Sequence, residues 1–382
     1  MNSIVPERLT QARELAGLSK SDIARTIGVS VAAISQWESG TKNPTHENLT
    51  SFCRATEVKV EMLMLPVPTE IRNKGPLSFR AQQASKTNRL RAQADRFSEM
   101  CAEVFLWLED FIDLPKYDLP EVECPPKEIE EAAKACRRYW GLGDRSIAKL
   151  GELMESKGIR LCSADFDEKR MDGFSCVIGG RAFIYLGSFS GDRGRARFSV
   201  AHELGHLVLH HHHSDAELMG MGNLAENEAN AFASAFLMPA ETFSSDVVDT
   251  SLNGFMRLKS KWGVSVQAMV RRARDLKLIT QDTYDRHYRT IGAKGWRRSK
   301  GEPADDSIPL VRRTIGDKAL ALLEGTENFQ TSKIQADLPH PESVFLSVFG
   351  RPLASGADEF SNIIRLSDFG AKREEDHPKQ SA

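Results

Sequence analysis

With 382 residues, 41% of them hydrophobic, the chain is longer than one ordinary domain and can bury two or three separate cores. A formal net charge of −2 leaves room for nucleic-acid contact only locally, at the basic stretches Arg72 to Arg96 and Arg286 to Lys300, set against an acidic one from Glu121 to Glu131. No apolar run approaches the roughly 18 to 20 residues of a membrane span, the N-terminus lacks the basic-then-apolar order of a secretory signal, and six scattered cysteines without a CxxC pair argue against a disulfide framework or a thiolate zinc knuckle. A cytoplasmic multidomain protein with reduced thiols is expected.

Residues 1–65 read as five short helices, with Gly17, Gly28 and Gly40 where helices should stop. "PVPTEIRNKGP" reads as a linker. Phe79 to Ile112 follows as one long helix, basic and glutamine-rich at first and apolar later. It is the expected dimer interface, although it lacks a sustained heptad. Two amphipathic helices, "KEIEEAAKACRRYWGL" and "RSIAKLGELMESKGI", precede three short strands, "IRLCSADF", "GFSCVIGG" and "RAFIYLG", expected to form a small, mostly antiparallel sheet. The helix "RFSVAHELGHLVLHH" comes next, then "AENEANAFASAFLMP" and further helices to about Thr290. No internal repeat is apparent. The fold expected is α+β and multidomain: an all-α five-helix unit at 1–65, a linker with a long helix at 66–126, an α+β domain at 127–300, and a small α+β appendage at 301–382 ending in a disordered tail, "AKREEDHPKQSA".

Within "SKSDIARTIGVSVAAISQWESG", one helix ends at Gly28, a tight turn follows, and Ser30 is a good N-cap for the next helix. That is helix-turn-helix spacing, with Ala24 at the close crossing and Ile27, Val29, Ile34 and Trp37 as apolar contacts. Over about residues 7–65, and above all in "VSVAAISQWESGTKNPT", the segment resembles the Xre/Cro repressor family. The resemblance implies that the helix from Ser30 to Ser39 enters the major groove of a double-stranded operator, with Ser30, Ala32, Ala33 and Gln36 on its exposed side. Gln36 can pair bidentately with adenine, whereas the alanines offer only methyl contacts to thymine. It also implies a structural ion pair between Arg13 and Glu38. Residues 1–65 hold acidic and basic side chains in roughly equal number, so phosphate neutralisation would draw on Arg72, Lys74, Arg80, Lys86, Arg89 and Arg91. A solvated helix face accounts for those charges equally well, and a module that binds protein remains the alternative for 1–65.

His202 and His206 stand one helical turn apart on one face, so both imidazoles can reach one metal ion, with Glu203 beside them as a proton acceptor for an attacking water. The rest of that helix is apolar, which makes two unpaired histidines costly there; two satisfied core histidines are the bland alternative. For a third ligand, His212 has the spacing of HExxHxxGxxH, but Leu209 stands where the glycine belongs. His210 lies about 6 Å further along the axis. Glu226, 20 positions after His206 on the following helix, is the expected ligand, with Glu228 as its rival and Asn230 placed to orient a ligating histidine.

This pair of helices resembles the ImmA/IrrE family of metallopeptidases over about residues 127–290. The resemblance implies a gluzincin-like zinc peptidase with His202, His206 and Glu226 as ligands and Glu203 as general base; manganese also suits this ligand set. It implies that the strand before the helix, "RAFIYLG", offers its edge to an extended substrate, that Tyr185 polarises the scissile carbonyl, and that Arg197 makes a structural salt bridge. Members of the family are associated with cleaving helix-turn-helix repressors under stress or in mobile elements. The expected function is therefore a DNA-binding transcriptional regulator, possible as a homodimer on paired half-sites, that cleaves a partner repressor or itself. The alternative is a non-proteolytic repressor or antitoxin using the same fold to bind protein.

Overall fold

The computed structural model describes residues 3–75, 84–122, 128–164, 173–187, 192–296, 301–327 and 329–353. The five expected N-terminal helices are α1 (Pro6–Leu15), α2 (Lys20–Ile27), α3 (Val31–Glu38), α4 (His46–Thr56) and α5 (Val60–Met64). Their starts are written in the sequence. Ser19 and Asp22 form a reciprocal capping box on α2, and Ser30 and Thr45 cap α3 and α4. A short α6 (Thr69–Arg72) leads to the 26-residue α7 (Ala84–Glu109). The start of the expected long helix, 79–83, lies outside the described residues.

After α8 (Ile129–Tyr139) and α9 (Leu150–Ser156) come β1 (Ile159–Ser163), β2 (Gly173–Ile178) and β3 (Arg181–Leu186). The sheet is mixed rather than mostly antiparallel: the order is β1-β3-β2, with β3 parallel to β1 and antiparallel to β2. The β2–β3 hairpin turns on Gly179 and Gly180, both at positive φ, as a two-residue turn requires. Strand β3, expected to offer an edge, is the centre of the sheet. Its residues from Ala182 to Leu186 are all buried, because helices cover both faces. Ala182, Ile184 and Leu186 join one apolar core, and Phe183 and Tyr185 the other.

The first core runs from Leu9 in α1 through Phe52, then Phe97 and Phe105 in α7, to Phe174 in β2 and Phe345 near the C-terminus. Helix α7 is its axis: Ala94, Met100, Val104 and Leu108 are wholly buried. From Ala94 to Leu108 its apolar face is thus covered by the chain itself. Arg8 of α1 grips Glu103 of α7 with two hydrogen bonds, 2.7 and 2.8 Å, and Gln11 reaches Glu99 at 2.8 Å.

The second core lies beneath α10 (Arg193–Leu209), followed by α11 (Asp215–Met221), α12 (Asn223–Leu237), α13 (Ala240–Asp246), α14 (Leu252–Trp262), α15 (Val266–Asp275) and α16 (Gln281–Ala293). Helices α14 and α15 repeat the α2–α3 turn, "WGVSVQAM" against "IGVSVAAI", an internal likeness that the sequence reading missed. A 3-10 turn (Asp305–Ser307) and α17 (Ile315–Glu324), α18 (Ser332–Asp337) and α19 (Glu342–Phe349) complete the described chain. The appendage is helical, with no strand among its described residues. In "PESVFLSVFG", Val344, Phe345, Val348 and Phe349 recur at helical spacing and pack on the first core. The expected disordered tail lies outside the described residues. Among the described residues no helix is long and apolar enough to cross a membrane.

Candidate metal centre

Helix α10 is capped by Asp192, whose side chain accepts from the Arg195 amide at 2.8 Å. Val200, Ala201, Leu204, Leu207 and Val208 bury its apolar side, and the period of the helix then turns His202 and His206 together toward α12. Gly205 lets α12 come close. A methyl group there would meet the Ala229 backbone at 3.1 Å and the Phe232 ring at 3.2 Å, so any larger residue would push α12 outward. That approach brings Glu226 to both imidazoles.

His202 Nε2 and His206 Nε2 are 3.2 Å apart, and each lies 3.5 Å from one oxygen of Glu226. Ligand atoms bound tetrahedrally to zinc at about 2.1 Å stand roughly 3.4 Å from one another. The donor set and its spacing therefore fit a divalent zinc-like cation. Asn230 sets the tautomer of His202: its Nδ2 donates to the Glu226 carbonyl at 2.7 Å, which leaves Oδ1 to accept from His202 Nδ1 at 3.2 Å. The Nε2 lone pair of His202 then faces the cluster. Burial pushes His206 down to about 4, keeping it neutral near pH 7. Burial also disfavours charge on His202, but its hydrogen bond to Glu226 and the nearby carboxylates outweigh this and raise its pKa. Glu226 is held well below the usual carboxylate range, because the two histidines outweigh its own burial.

Glu203, 5% exposed, points from α10 to β2. Its Oε2 accepts from Ser175 Oγ at 2.8 Å, and the same hydroxyl lies 3.3 Å from the Glu203 carbonyl. Ser175 thus fixes one carboxylate oxygen beside the histidines. A lone serine in a strand carries no sequence signal for this role.

In the N-terminal unit, the first turn of α3 faces solvent: Ser30 and Ala32 are exposed, and Ala33 and Gln36 partly so. Ser30 Oγ accepts from the Ala33 amide at 3.1 Å, so its first task is the cap. Arg13 and Glu38 form the expected ion pair, at 2.5 and 3.2 Å. Of the basic side chains expected to supplement phosphate contact, three pair within the chain: Arg72 with Glu7 at 2.9 Å, Arg89 with Asp22 at 3.0 Å, and Lys74 with Glu99 and Asp95. Those acids belong to helices packed alongside. Arg80, and the side chain of Lys86, lie outside the described residues.

A family model described as helix-turn-helix matches residues 9–63, and one described as an IrrE N-terminal-like domain, in a peptidase family, matches residues 154–274. The chain joins a helix-turn-helix to an IrrE-like domain. No match to a curated protein was found.

Within the IrrE-like domain, the structure brings His202, His206 and Glu226 together as a candidate ligand set, all ligand atoms within 4.8 Å. It does not bring Tyr185 there. Side chains alternate along β3, and Tyr185 falls on the far face, stacked on Phe174 with ring centroids 4.5 Å apart. Its neighbour in sequence, Ile184, faces the helix side. The edge strand nearest Glu203 is β2. Glu228 faces His210 rather than the cluster, at 2.9 Å. His212 packs against His211, ring centroids 3.5 Å apart. Among the described residues Arg197 makes no salt bridge: its guanidinium is buried and donates to the carbonyls of Gly263 at 2.8 Å, Ala148 at 3.1 Å and Ile147. Burial alone lowers its pKa to about 10.

Proposed function

We propose that the protein is a DNA-binding transcriptional regulator, acting in the cytoplasm, whose IrrE-like domain is a zinc-dependent endopeptidase for a helix-turn-helix repressor or for its own chain. The observation that carries this reading is the convergence of His202, His206 and Glu226 with Glu203 held beside them by Ser175. His202, His206 and Glu226 would hold the cation, zinc or manganese, which supplies Lewis acidity for the scissile carbonyl and acidifies water. Glu203 takes the proton of the attacking water and returns it to the leaving amine. Ser175 holds that carboxylate in place through its hydroxyl on Oε2. In the DNA-binding unit, Gln36 reads adenine, Ala32 and Ala33 contact thymine methyls, and Ser30 presents the helix start; two copies on paired half-sites form the regulator. In this division residues 1–65 read DNA and 127–300 hold the metal, while α7 and α17 to α19 pack in the first core beside the N-terminal unit.

Elemental analysis of the purified wild type and Glu203→Gln, followed by incubation of each with candidate helix-turn-helix repressors, tests the reading. One zinc or manganese per chain in both, with cleavage by the wild type alone, supports it. Metal in both with no cleavage by either favours the non-proteolytic repressor or antitoxin. Neither protein holding metal sinks the ligand assignment.

A further inference from the structure

We propose that Glu228 and His210 form a positioning relay that fixes the tautomer of His206 and so aims the lone pair of its Nε2 into the cluster. The relay rests on the reading above that His206 is a metal ligand. An imidazole can ligate through Nε2 only when its proton sits on Nδ1. For His202 that is settled by Asn230. For His206 the partner is another imidazole, since His206 Nδ1 lies 3.0 Å from His210 Nδ1, and that contact alone does not say which ring donates.

The far end decides. His210 Nε2 lies 2.9 Å from Glu228 Oε2, and a carboxylate only accepts. The His210 proton therefore sits on Nε2, its Nδ1 is a lone pair, and the proton shared between the rings must come from His206 Nδ1. Both rings are buried, His206 at 5% and His210 at 2% exposure, so few waters can compete for either nitrogen. The geometry is economical in helical terms: His210 stands one turn after His206 on α10, and Glu228 two residues after Glu226 on α12. Thus α12 presents a carboxylate to Nε2 of His206 and, through His210, a second carboxylate to Nδ1.

The test uses the full chain, with zinc affinity read by chelator competition and imidazole tautomers read by long-range nitrogen–proton correlation in the metal-free protein. Wild type should show His206 protonated on Nδ1 and His210 on Nε2. Glu228→Ala and His210→Ala should weaken zinc binding by roughly 10- to 100-fold and leave His206 as a tautomer mixture. Glu228→Gln, whose amide oxygen still accepts, should lose less and keep the wild-type tautomers; this graded rescue separates positioning from general damage to α12. Wild-type zinc affinity in all three variants, or a proton on His206 Nε2 in the wild type, overturns the relay while leaving the metal centre standing. A wild type that binds no zinc overturns both.

Discussion

Two turns in this chain are spelled almost alike and meet opposite surroundings. Ile27 to Ile34 and Trp262 to Met269 both pass through a left-handed glycine, Gly28 at φ 75° and Gly263 at φ 64°. Both begin the next helix with a serine whose hydroxyl accepts from the amide three residues on, at 3.1 Å in each case. In the first, the start of α3 faces solvent. In the second, the carboxylate of Glu302 covers the start of α15, accepting from the Val266 and Gln267 amides at 2.7 and 3.1 Å, and Lys259 is buried against it at 3.2 Å. A helix N-terminus attracts an anion wherever it occurs. The N-terminal unit leaves that place open to an external phosphate, while at α15 it is filled by the carboxylate of Glu302, from the segment that follows the IrrE-like domain. The turn is encoded locally; its use is decided by what packs on it.

The comparison can be broken in five ways, the largest effect first and the smallest last. Glu302→Ala strips the amides of α15 and leaves the fully buried Lys259 without its nearest carboxylate, so urea denaturation should show a loss of about 3 kcal/mol, with no change in operator affinity of the folded fraction. Gly263→Ala should follow at about 2 to 3 kcal/mol, since a methyl there both strains the backbone and meets Arg197 Nε at 2.6 Å. Gly28→Ala, with nothing within 4 Å, should cost only the backbone strain, about 1 kcal/mol; equal losses at both glycines would contradict the packing described. Gln36→Ala should weaken binding to an operator by about tenfold or more and leave the melting temperature unchanged, whereas the same change at its counterpart, Arg271, should leave DNA binding as it was; a mobility-shift titration of the pair decides. Smallest and most symmetrical, Ser30→Ala and Ser265→Ala should each cost about 1 kcal/mol of stability.

What was legible in the sequence follows from periodicity. The 3.6-residue repeat alone places His202 beside His206, and a second helix carrying Glu226 with Asn230 one turn later is readable for the same reason. Strands gave less. "RAFIYLG" is apolar on both faces, so it carries no phase to say which side of the sheet Tyr185 takes, and that same continuity is the mark of a central strand rather than an edge. Ser175 and Arg197 act through long-range contacts with no local pattern. The covering of α7 was equally hidden, because an apolar stripe reads the same whether its partner is a second copy or the rest of its own chain.

The Arg8–Glu103 contact has a consequence for how such fused proteins can be assembled. A helix-turn-helix spliced on at residue 65 that lacked an arginine at position 8 and a glutamine at position 11 would take from Glu103 its guanidinium partner and from Glu99 one of its donors, leaving the buried Glu103 to His340 alone. Specificity for a new operator is therefore transplantable one recognition-helix residue at a time, but not as a whole module, unless the recipient's buried acids are exchanged along with it.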